Sequence, residues 1–321
     1  MPISDHFDGR RFFNPTGPTP QPFSAVPRML LEPRAKWPKR IDAPSTPPPP
    51  LEGAAATITF IGHATFLIQT AAGNVLTDPF YSERASPLPW MGPRRVRPAA
   101  VRFEDLPGIS IVVLSHNHYD HCDLQTLARL AKRFNPLVVT PLGNATLVRS
   151  AGIRRVEELD WWECSTQSTL PITLTPAHHF SARSPFDRDR ALWGGFLIAN
   201  DDARVYFAGD TAYSDCFKDI RARLGPIDLA LLPIGAYEPR WFMQAVHMNP
   251  EEAVRAHVDL EAAQSIAMHF GTIQLTAEGI DVPVGALQHA LDARQIPRSQ
   301  FQTLDFGQSV RLEHRRVGTL G

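Results

Sequence analysis

Short apolar runs alternate with amphipathic segments along most of the chain, from Thr57 onward. The runs are rich in β-branched residues and stop at Gly, Pro, Asn or Asp, which is typical of buried strands. They predict strands near 57–70, 109–114, 137–140, 172–175, 194–199, 204–208, 228–233, 265–268 and 309–313. Helical spacing of apolar residues predicts helices at 123–134, 144–150, 215–224, 250–260 and 284–294. This order of elements, repeated in two halves, predicts an α/β fold with two sheets covered by helices.

One predicted helix, at 250–260, has a distinct start signal. Asn249 can cap it, Pro250 suits the first helical position, and two glutamates follow in the first turn. The sequence therefore predicts that this helix begins at Pro250.

The first 53 residues do not show this alternation. They hold much of the proline and end in APSTPPPP at 43–50, which forbids a regular helix or a central strand. Aromatic residues are unusual in a disordered tail, yet the segment contains Phe7, Phe12, Phe13, Phe23 and Trp37. We therefore expect residues 1–53 to be a Pro-rich extended arm that lies on the body formed by residues 54–321.

The sequence LSHNHYDHCD, at residues 114–123, follows directly on a predicted strand and concentrates His116, His118, Asp120 and His121. Crowded imidazoles repel one another when protonated and lose hydration when neutral, whereas a bound dication removes this conflict. Positions 116 and 118 can face one side of the strand end, and positions 120 and 121 can turn back where the next helix begins. One short loop could thus serve two adjacent metals.

Further candidate ligands follow other predicted strands. They are His178 and His179 in TPAHHFSAR, Asp210 in VYFAGDTAY and His269 in IAMHFGT. A single histidine at a strand end is more often structural than ligating. Several strand ends that all present His or Asp are hard to explain without a metal.

The pattern His116-x-His118-x-Asp120-His121, followed by a His, an Asp in a Gly-Asp-Thr setting and a last His, resembles the metallo-β-lactamase superfamily. The segments GHATFLIQT, LTDPFYSERASP, GPRRVRP, IGAYEPRWFM and HMNPEEAV are similar to the branch that contains N-acyl-phosphatidylethanolamine-hydrolysing phospholipase D. The similarity runs from about residue 57 to 275. It implies a four-layer αβ/βα sandwich.

The resemblance also implies a hydrolase that holds two zinc ions per chain. His116, His118 and His179 would hold the first zinc, Asp120, His121 and His269 the second, and Asp210 would bridge them. The branch usually has Gln where this chain has His178, so His178 is a second candidate beside His179. Zinc is favoured over iron because position 118 is His where the similar flavo-di-iron proteins carry Glu.

Such a centre predicts hydrolysis by a metal-bridging hydroxide, because two zinc ions lower the pKa of a bridging water from about 15.7 towards neutrality. Asp120 could orient the hydroxide and pass a proton to the leaving group, and His247 resembles a substrate-side histidine of the branch. Candidate contacts for a lipid phosphate and its chains are Arg94, Tyr213, Trp241 and Phe242. His63 is interpreted either as a support for the ligands or as a core residue.

These features favour a phosphodiesterase of phospholipase D type that acts on N-acyl-phosphatidylethanolamine-like lipids. A lactone or carboxylic ester hydrolase on the same dizinc site is the alternative, because one metal site serves different substrates through its loops. A non-catalytic metal-binding protein is a third hypothesis. The sequence has no Gly-x-Ser-x-Gly elbow, P-loop or dinucleotide fingerprint, so serine catalysis and nucleotide-driven chemistry are not supported.

Composition limits the partners and the setting. The formal net charge of −1 argues against a nucleic-acid partner. Three cysteines without paired spacing favour a reducing compartment, and we find no signal-peptide pattern and no apolar stretch of membrane-spanning length. We expect a cytoplasmic protein that acts on a phospholipid or another small ester, with peripheral contact at the inner face of the membrane, and leave a homodimer open.

Overall fold

The structure is a computed structural model that describes residues 3–314. Its strands are β1 (Ala56–Gly62), β2 (Thr65–Thr70), β3 (Gly73–Thr77), β4 (Ile111–Val113), β5 (Leu137–Pro141), β6 (Arg155–Leu159), β7 (Ile172–Thr175), β8 (Gly195–Ala199), β9 (Arg204–Phe207), β10 (Leu229–Pro233), β11 (Gln264–Met268), β12 (Phe301–Gln302) and β13 (Ser309–Leu312). Its helices are α1 (Val26–Leu30), α2 (Leu124–Arg133), α3 (Ala145–Ser150), α4 (Cys216–Leu224), α5 (Arg240–Met243), α6 (Pro250–Asp259) and α7 (Val282–Ala293), besides short 3₁₀ turns at Phe23–Ala25 and Phe103–Asp105. Within residues 3–314, no helix is long and apolar enough to cross a bilayer.

The strands form two sheets, one from each half of the chain, except that the last strand, β13, joins the first sheet. The first has the order β13-β1-β2-β3-β4-β5-β6 and the second the order β12-β11-β10-β9-β8-β7. Strands β3 to β6 run parallel, as do β9 to β12, and the remaining pairs are antiparallel. Parallel neighbours bring their carboxyl ends to one edge of the sheet, where ligands collect.

Side chains alternate between two cores, as the period of a strand requires. In the first sheet, Phe66 and Val113 face the second sheet and pack in the larger core with Phe196. Leu67 and Val112 face the opposite way and pack beneath α2 and α3. Helices therefore cover the outer face of the first sheet while its inner face packs on the second sheet, which confirms the predicted sandwich of sheets and helices.

The structure differs from the predicted elements in several places. The single strand predicted at 57–70 is the hairpin of β1 and β2, because the chain turns at Gly62 and His63, which both have positive φ. Strands β3, β6 and β12 and helices α1 and α5 were not predicted. β6 has the sequence RVEEL and lies at the sheet edge. Its charged residues interrupt the apolar run by which the other strands were recognised.

The arm, which here means residues 3–53, runs across the surface of both halves. Phe7 and Phe12 are buried against each other, and the backbone N–H of Phe12 donates to Asp189 at 2.8 Å. Further along, Trp37 donates its indole N–H to the carbonyl of Glu278 at 2.8 Å. The arm is thus held by aromatic side chains and backbone hydrogen bonds, while its division from the rest of the chain as a separate unit stays a prediction.

Helix α6 begins at Pro250, as the start signal predicts. The side chain of Asn249 accepts a hydrogen bond from the backbone of Glu252 at 2.8 Å, and Glu252 accepts in return from the N–H of Asn249 at 2.9 Å. This capping box satisfies backbone donors that would otherwise have no partner at the helix end.

Replacing Asn249 by Ala should therefore lower the free energy of unfolding by about 1 kcal/mol. Urea denaturation followed by circular dichroism measures the change. Asp281 precedes α7 without any side-chain cap bond, so Asp281→Ala should cost less than about 0.5 kcal/mol. Equal losses in the two variants would contradict the assigned role of the capping box.

Candidate metal centre

The polar residues of interest each follow directly on a strand. The segment His116 to His121 follows β4, His178 and His179 follow β7, Asp210 follows β9 and His269 follows β11. The loop after β4 turns sharply because the N–H groups of His121 and Cys122 both donate to the carbonyl of His118. Asp123 then caps α2. This turn brings both halves of the loop to face the same space.

A first group of histidines converges on one point. Nε2 of His116 lies 2.9 Å from Nδ1 of His118, and Nε2 of His179 lies 3.3 Å from that same nitrogen. His116 and His179 are buried, and His118 is half-buried. Three ring nitrogens at this spacing could bind one cation together.

A second group lies beside the first. Oδ2 of Asp120 lies 3.3 Å from Nε2 of His121 and 3.5 Å from Nε2 of His269. All three residues are buried. Their ligand atoms also lie close enough together to bind one cation.

Asp210 lies between the two groups. Its Oδ2 is 3.1 Å from Nε2 of His121 and 3.9 Å from Nε2 of His116, and its Oδ1 is 3.2 Å from Nε2 of His269. The preceding Gly209 has φ +61°, and a Cβ there would come within 2.6 Å of Ser115. Only glycine allows the turn that delivers Asp210 to this position.

Several atoms that face this space are buried without a hydrogen-bond partner in the structure: Nε2 of His121, Nε2 of His269 and Oδ1 of Asp210. A buried polar atom without a partner costs roughly 1–3 kcal/mol. Imidazole nitrogen and carboxylate oxygen are good ligands for zinc and similar divalent metals. The residues therefore fit divalent metal ions, which would satisfy each of these atoms.

Burial and mutual charge set the protonation of the metal-free centre. Burial lowers the pKa of His118 to about 3 and that of His179 to about 4, so these rings stay neutral and ready to bind. Burial also opposes ionisation of Asp210, but the adjacent His121 and His269 outweigh it and hold its pKa well below the usual value. Despite burial, Asp210 and Asp120 raise the pKa of His121 well above normal and that of His269 to about 9.

Comparison with known proteins agrees with this geometry. A β-lactamase superfamily domain model matches residues 73–270. The chain belongs to the metallo-β-lactamase superfamily. It is 39% identical over 264 residues to N-acyl-phosphatidylethanolamine-hydrolyzing phospholipase D 1 of Caenorhabditis elegans, covering 78% of this chain and 74% of that protein. It is 31% identical over 218 residues to a metal-dependent hydrolase of Methanopyrus kandleri, covering 67% of this chain and 84% of that protein.

A solved structure shows the same fold. A possible metal-dependent hydrolase from Veillonella parvula superposes with a TM-score of 0.66 at 20% identity, over 81% of this chain and all of that one. The predicted fold and the predicted superfamily are therefore confirmed. Within this superfamily the chain is a metal-dependent hydrolase whose His and Asp clusters are able to bind metal.

The metallo-β-lactamase centre is supported by groups that sequence reasoning missed. Asp78, at the end of β3, accepts from Nδ1 of His121 at 2.6 Å and from the N–H of Ser115 at 2.7 Å. Arg183 donates to the carbonyls of Asn117 and Cys122 at 2.7 and 2.9 Å. Such contacts orient ligands and fix their tautomers. The position of Asp78 directly after an apolar run was the signal that could have identified it.

The structure separates the roles of His178 and His179. Nδ1 of His178 lies 3.0 Å from the carbonyl of Ala245, and its Nε2 lies 2.7 Å from the carbonyl of Thr16. Nδ1 of His179 contacts the carbonyl of Val246 at 2.8 Å, which leaves Nε2 to face the first group. Only His179 directs a ring nitrogen towards the cluster.

Two more histidines border the centre. Nε2 of His63 lies 2.9 Å from Oδ2 of Asp120, and its ring lies close to the ligand atoms of Asp120, His121 and His269. Nε2 of His247 lies 3.8 Å from Oδ2 of Asp210, and its Nδ1 is buried without a partner. Burial lowers the pKa of His247 well below normal, so its ring is neutral and carries one N–H.

The four predicted substrate contacts lie in different places. Phe242 lines a narrow apolar slot of about 150 Å³ near Phe180. Trp241 donates to Glu32 of the arm at 3.1 Å, and the hydroxyl of Tyr213 is bound to Asp259. Arg94 lies 3.5 Å from Glu83 in another cleft, of about 370 Å³, whose lining includes none of the candidate metal ligands. Of these four residues, only Phe242 lines a cavity that also borders Phe180, the residue after His179.

Metal loading should displace protons from this centre. His121 and His269 carry protons in the metal-free state because the pKa of each is raised, whereas the other candidate ligands are already deprotonated. Stoichiometric zinc added to metal-free protein near pH 7.5 should release at least about two protons per chain. A pH indicator in weakly buffered solution measures the release.

The release should then fall as the starting pH rises through about 9, because His269 loses its proton before zinc arrives. A release that stays the same on both sides of that pH would show that His269 is not protonated in the metal-free centre.

Proposed function

We propose that the chain is a zinc-dependent phosphodiesterase of phospholipase D type, which hydrolyses N-acyl-phosphatidylethanolamine-like lipids to phosphatidic acid and an N-acylethanolamine. The observation that carries this proposal is the 39% identity to the nematode phospholipase D over most of both chains. An apolar slot of about 150 Å³ beside Phe180, the neighbour of His179, supports a lipid substrate.

The proposed ligands fall into two sets. His116, His118 and His179 would hold one zinc, Asp120, His121 and His269 the other, and Asp210 both. When bound, a zinc pair supplies a water that ionises near neutral pH and positive charge for the phosphoryl oxygens.

Residues of the chain then have separate tasks. Asp120 is held by Nε2 of His63 and would receive a proton near the reacting phosphate and deliver it to the leaving alkoxide. His247 is neutral, so its single ring N–H would donate to a phosphoryl oxygen. These side chains are themselves buried, which strengthens each of these interactions.

Two other functions remain open to test. A lactone or carboxylic ester hydrolase would use the same centre, because the fold leaves the substrate to the surrounding loops. A metal-binding protein without turnover would have the same metal ligands but would catalyse no reaction. We place the protein in the cytoplasm, at the inner face of the membrane when it acts on lipid; a homodimer and the lack of a nucleic-acid partner are likewise proposals.

His179→Ala should reduce metal-dependent turnover by more than about 100-fold and lower the bound zinc, because Nε2 of His179 faces the first group. His178→Gln should keep most of the turnover and all of the zinc, since both ring nitrogens of His178 face carbonyls. Elemental analysis and initial rates measure both variants, and circular dichroism checks their folding. The reverse pattern would exchange the two assignments.

Zinc-loaded protein incubated with vesicles of N-palmitoyl-phosphatidylethanolamine should produce a phosphate monoester in the ³¹P spectrum. Turnover should rise once the lipid aggregates, and short soluble diesters should react more slowly, because binding energy from the chains helps to orient the phosphodiester. Faster cleavage of lactones or carboxylic esters, without any response to aggregation, would leave only the zinc hydrolase.

A further inference from the structure

The arm reaches the metal centre although it lies outside the residues that the family model matches, which begin at 73. We propose that arm residues 11–26 are a specificity-determining part of the substrate site, which selects a substrate with an apolar chain next to an anionic phosphate. This inference rests on the proposed phosphodiester function.

Arm residues contact the segment that carries a candidate ligand. Asn14 donates its side-chain N–H to the carbonyl of His179 at 2.8 Å and accepts from the indole N–H of Trp193 at 3.2 Å. Two residues later, the carbonyl of Thr16 lies 2.7 Å from Nε2 of His178. The arm is therefore fixed to both neighbouring histidines, one through its backbone and one through its ring.

Gly17 shows how closely the arm approaches. Its φ is +85°, and a Cβ at this position would come within 2.5 Å of Nε2 of His178. A larger residue would push the arm away from His178. Gly53 provides a natural comparison, because it also lies in the arm with a positive φ of +72° but a Cβ there would meet no atom within 4 Å.

The same part of the arm builds the walls of two adjoining cavities. A cavity of about 570 Å³ is lined by His179 and Trp193 on one side and by the arm from Arg11 to Pro22 on the other. The apolar slot of about 150 Å³ is lined by Val26 of the arm as well as by Phe242. Pro20, Phe180 and Arg188 line both cavities, so the slot leads into the space that borders His179.

Charge at the junction defines the class of ligand. The guanidinium of Arg188 lies 4.9 Å from the centroid of the Phe180 ring and donates to the carbonyl of Gln21 in the arm at 3.0 Å. Asp189 lies 3.5 Å from its Nε, and with Nη1 donating to Gln21 the Nη2 group is left for a ligand anion. Arginine suits phosphate, and an apolar slot suits a hydrocarbon chain. The arm thus positions a cation between the chain and the metal centre.

The experiment compares Gly17→Ala with Gly53→Ala in zinc-loaded protein. Both changes put a side chain at a positive φ, but only Gly17→Ala displaces the arm from His178. Calorimetric titration uses two probes, dodecyl phosphate and inorganic phosphate. Gly17→Ala should weaken dodecyl phosphate binding at least about fivefold and inorganic phosphate binding clearly less, because inorganic phosphate has no chain for the slot and depends on the arm only through Arg188. Gly53→Ala should change neither affinity.

If Gly17→Ala does not fold, Val26→Ser and Leu31→Ser replace this pair, since Val26 lines the slot and Leu31 is an exposed arm residue 86% accessible to solvent. Equal affinities for dodecyl phosphate in the slot variant and its control would overturn the role of the arm, whichever substrate the enzyme cleaves. The other outcome is that the protein cleaves no phosphodiester while the variant still loses affinity for dodecyl phosphate more than for inorganic phosphate. That result would overturn the proposed reaction but keep the arm as the part that selects an apolar chain.

Discussion

Charge compensation in a buried space is the condition on which the metal centre depends. Asp120 and Asp210 are almost fully buried, and an isolated buried carboxylate costs several kcal/mol. His121 and His269 offset this cost by keeping their protons in the metal-free state. The compensation is incomplete, because nitrogen and oxygen atoms at the centre of the cluster still have no partner. A bound metal would complete it, which would couple metal binding to the stability of this region.

The backbone around the centre adopts unusual conformations to meet this condition. His63, Asp78 and His269 have φ of 58°, 31° and 61°, which non-glycine residues rarely adopt. Such positions cost of order 1–3 kcal/mol each and persist only where the surroundings determine them. Here the N–H of His269 donates to the carbonyl of His63 at 2.9 Å, so two of these turns hold each other. The buried sheets supply the stability that allows this strain at the site.

Much of the centre could be predicted from the sequence because its side chains follow apolar runs. Parallel strands bring their ends together, so His or Asp after several runs indicated one site before any distance was known. Asp78 was missed because no second His or Asp stands beside it after its apolar run, and its partner His121 lies 43 positions away. Arg94 was proposed from its neighbours in sequence; in space it lines a cleft with Glu83, and its contact with lipid stays a prediction. The path of the arm could not be predicted. Proline prevents regular helices and strands, so the apolar residues of the arm do not recur at a spacing that would show which face is buried.

The chemistry and the choice of substrate are built by different parts of the chain. The candidate ligands lie between residues 116 and 269, within the region that the superfamily model matches, and of their supports Asp78 and Arg183 lie within it and His63 just before it. Most of the wall opposite His179 and Trp193 comes from residues 11–22, which lie outside it. The strand-end ligands must keep their relative positions to within about 0.5 Å. An arm held by scattered hydrogen bonds can change its side chains without moving those ligands. Relatives with the same centre can therefore differ in substrate through the arm alone, which is why similarity of the centre determines the class of reaction more firmly than the molecule that reacts.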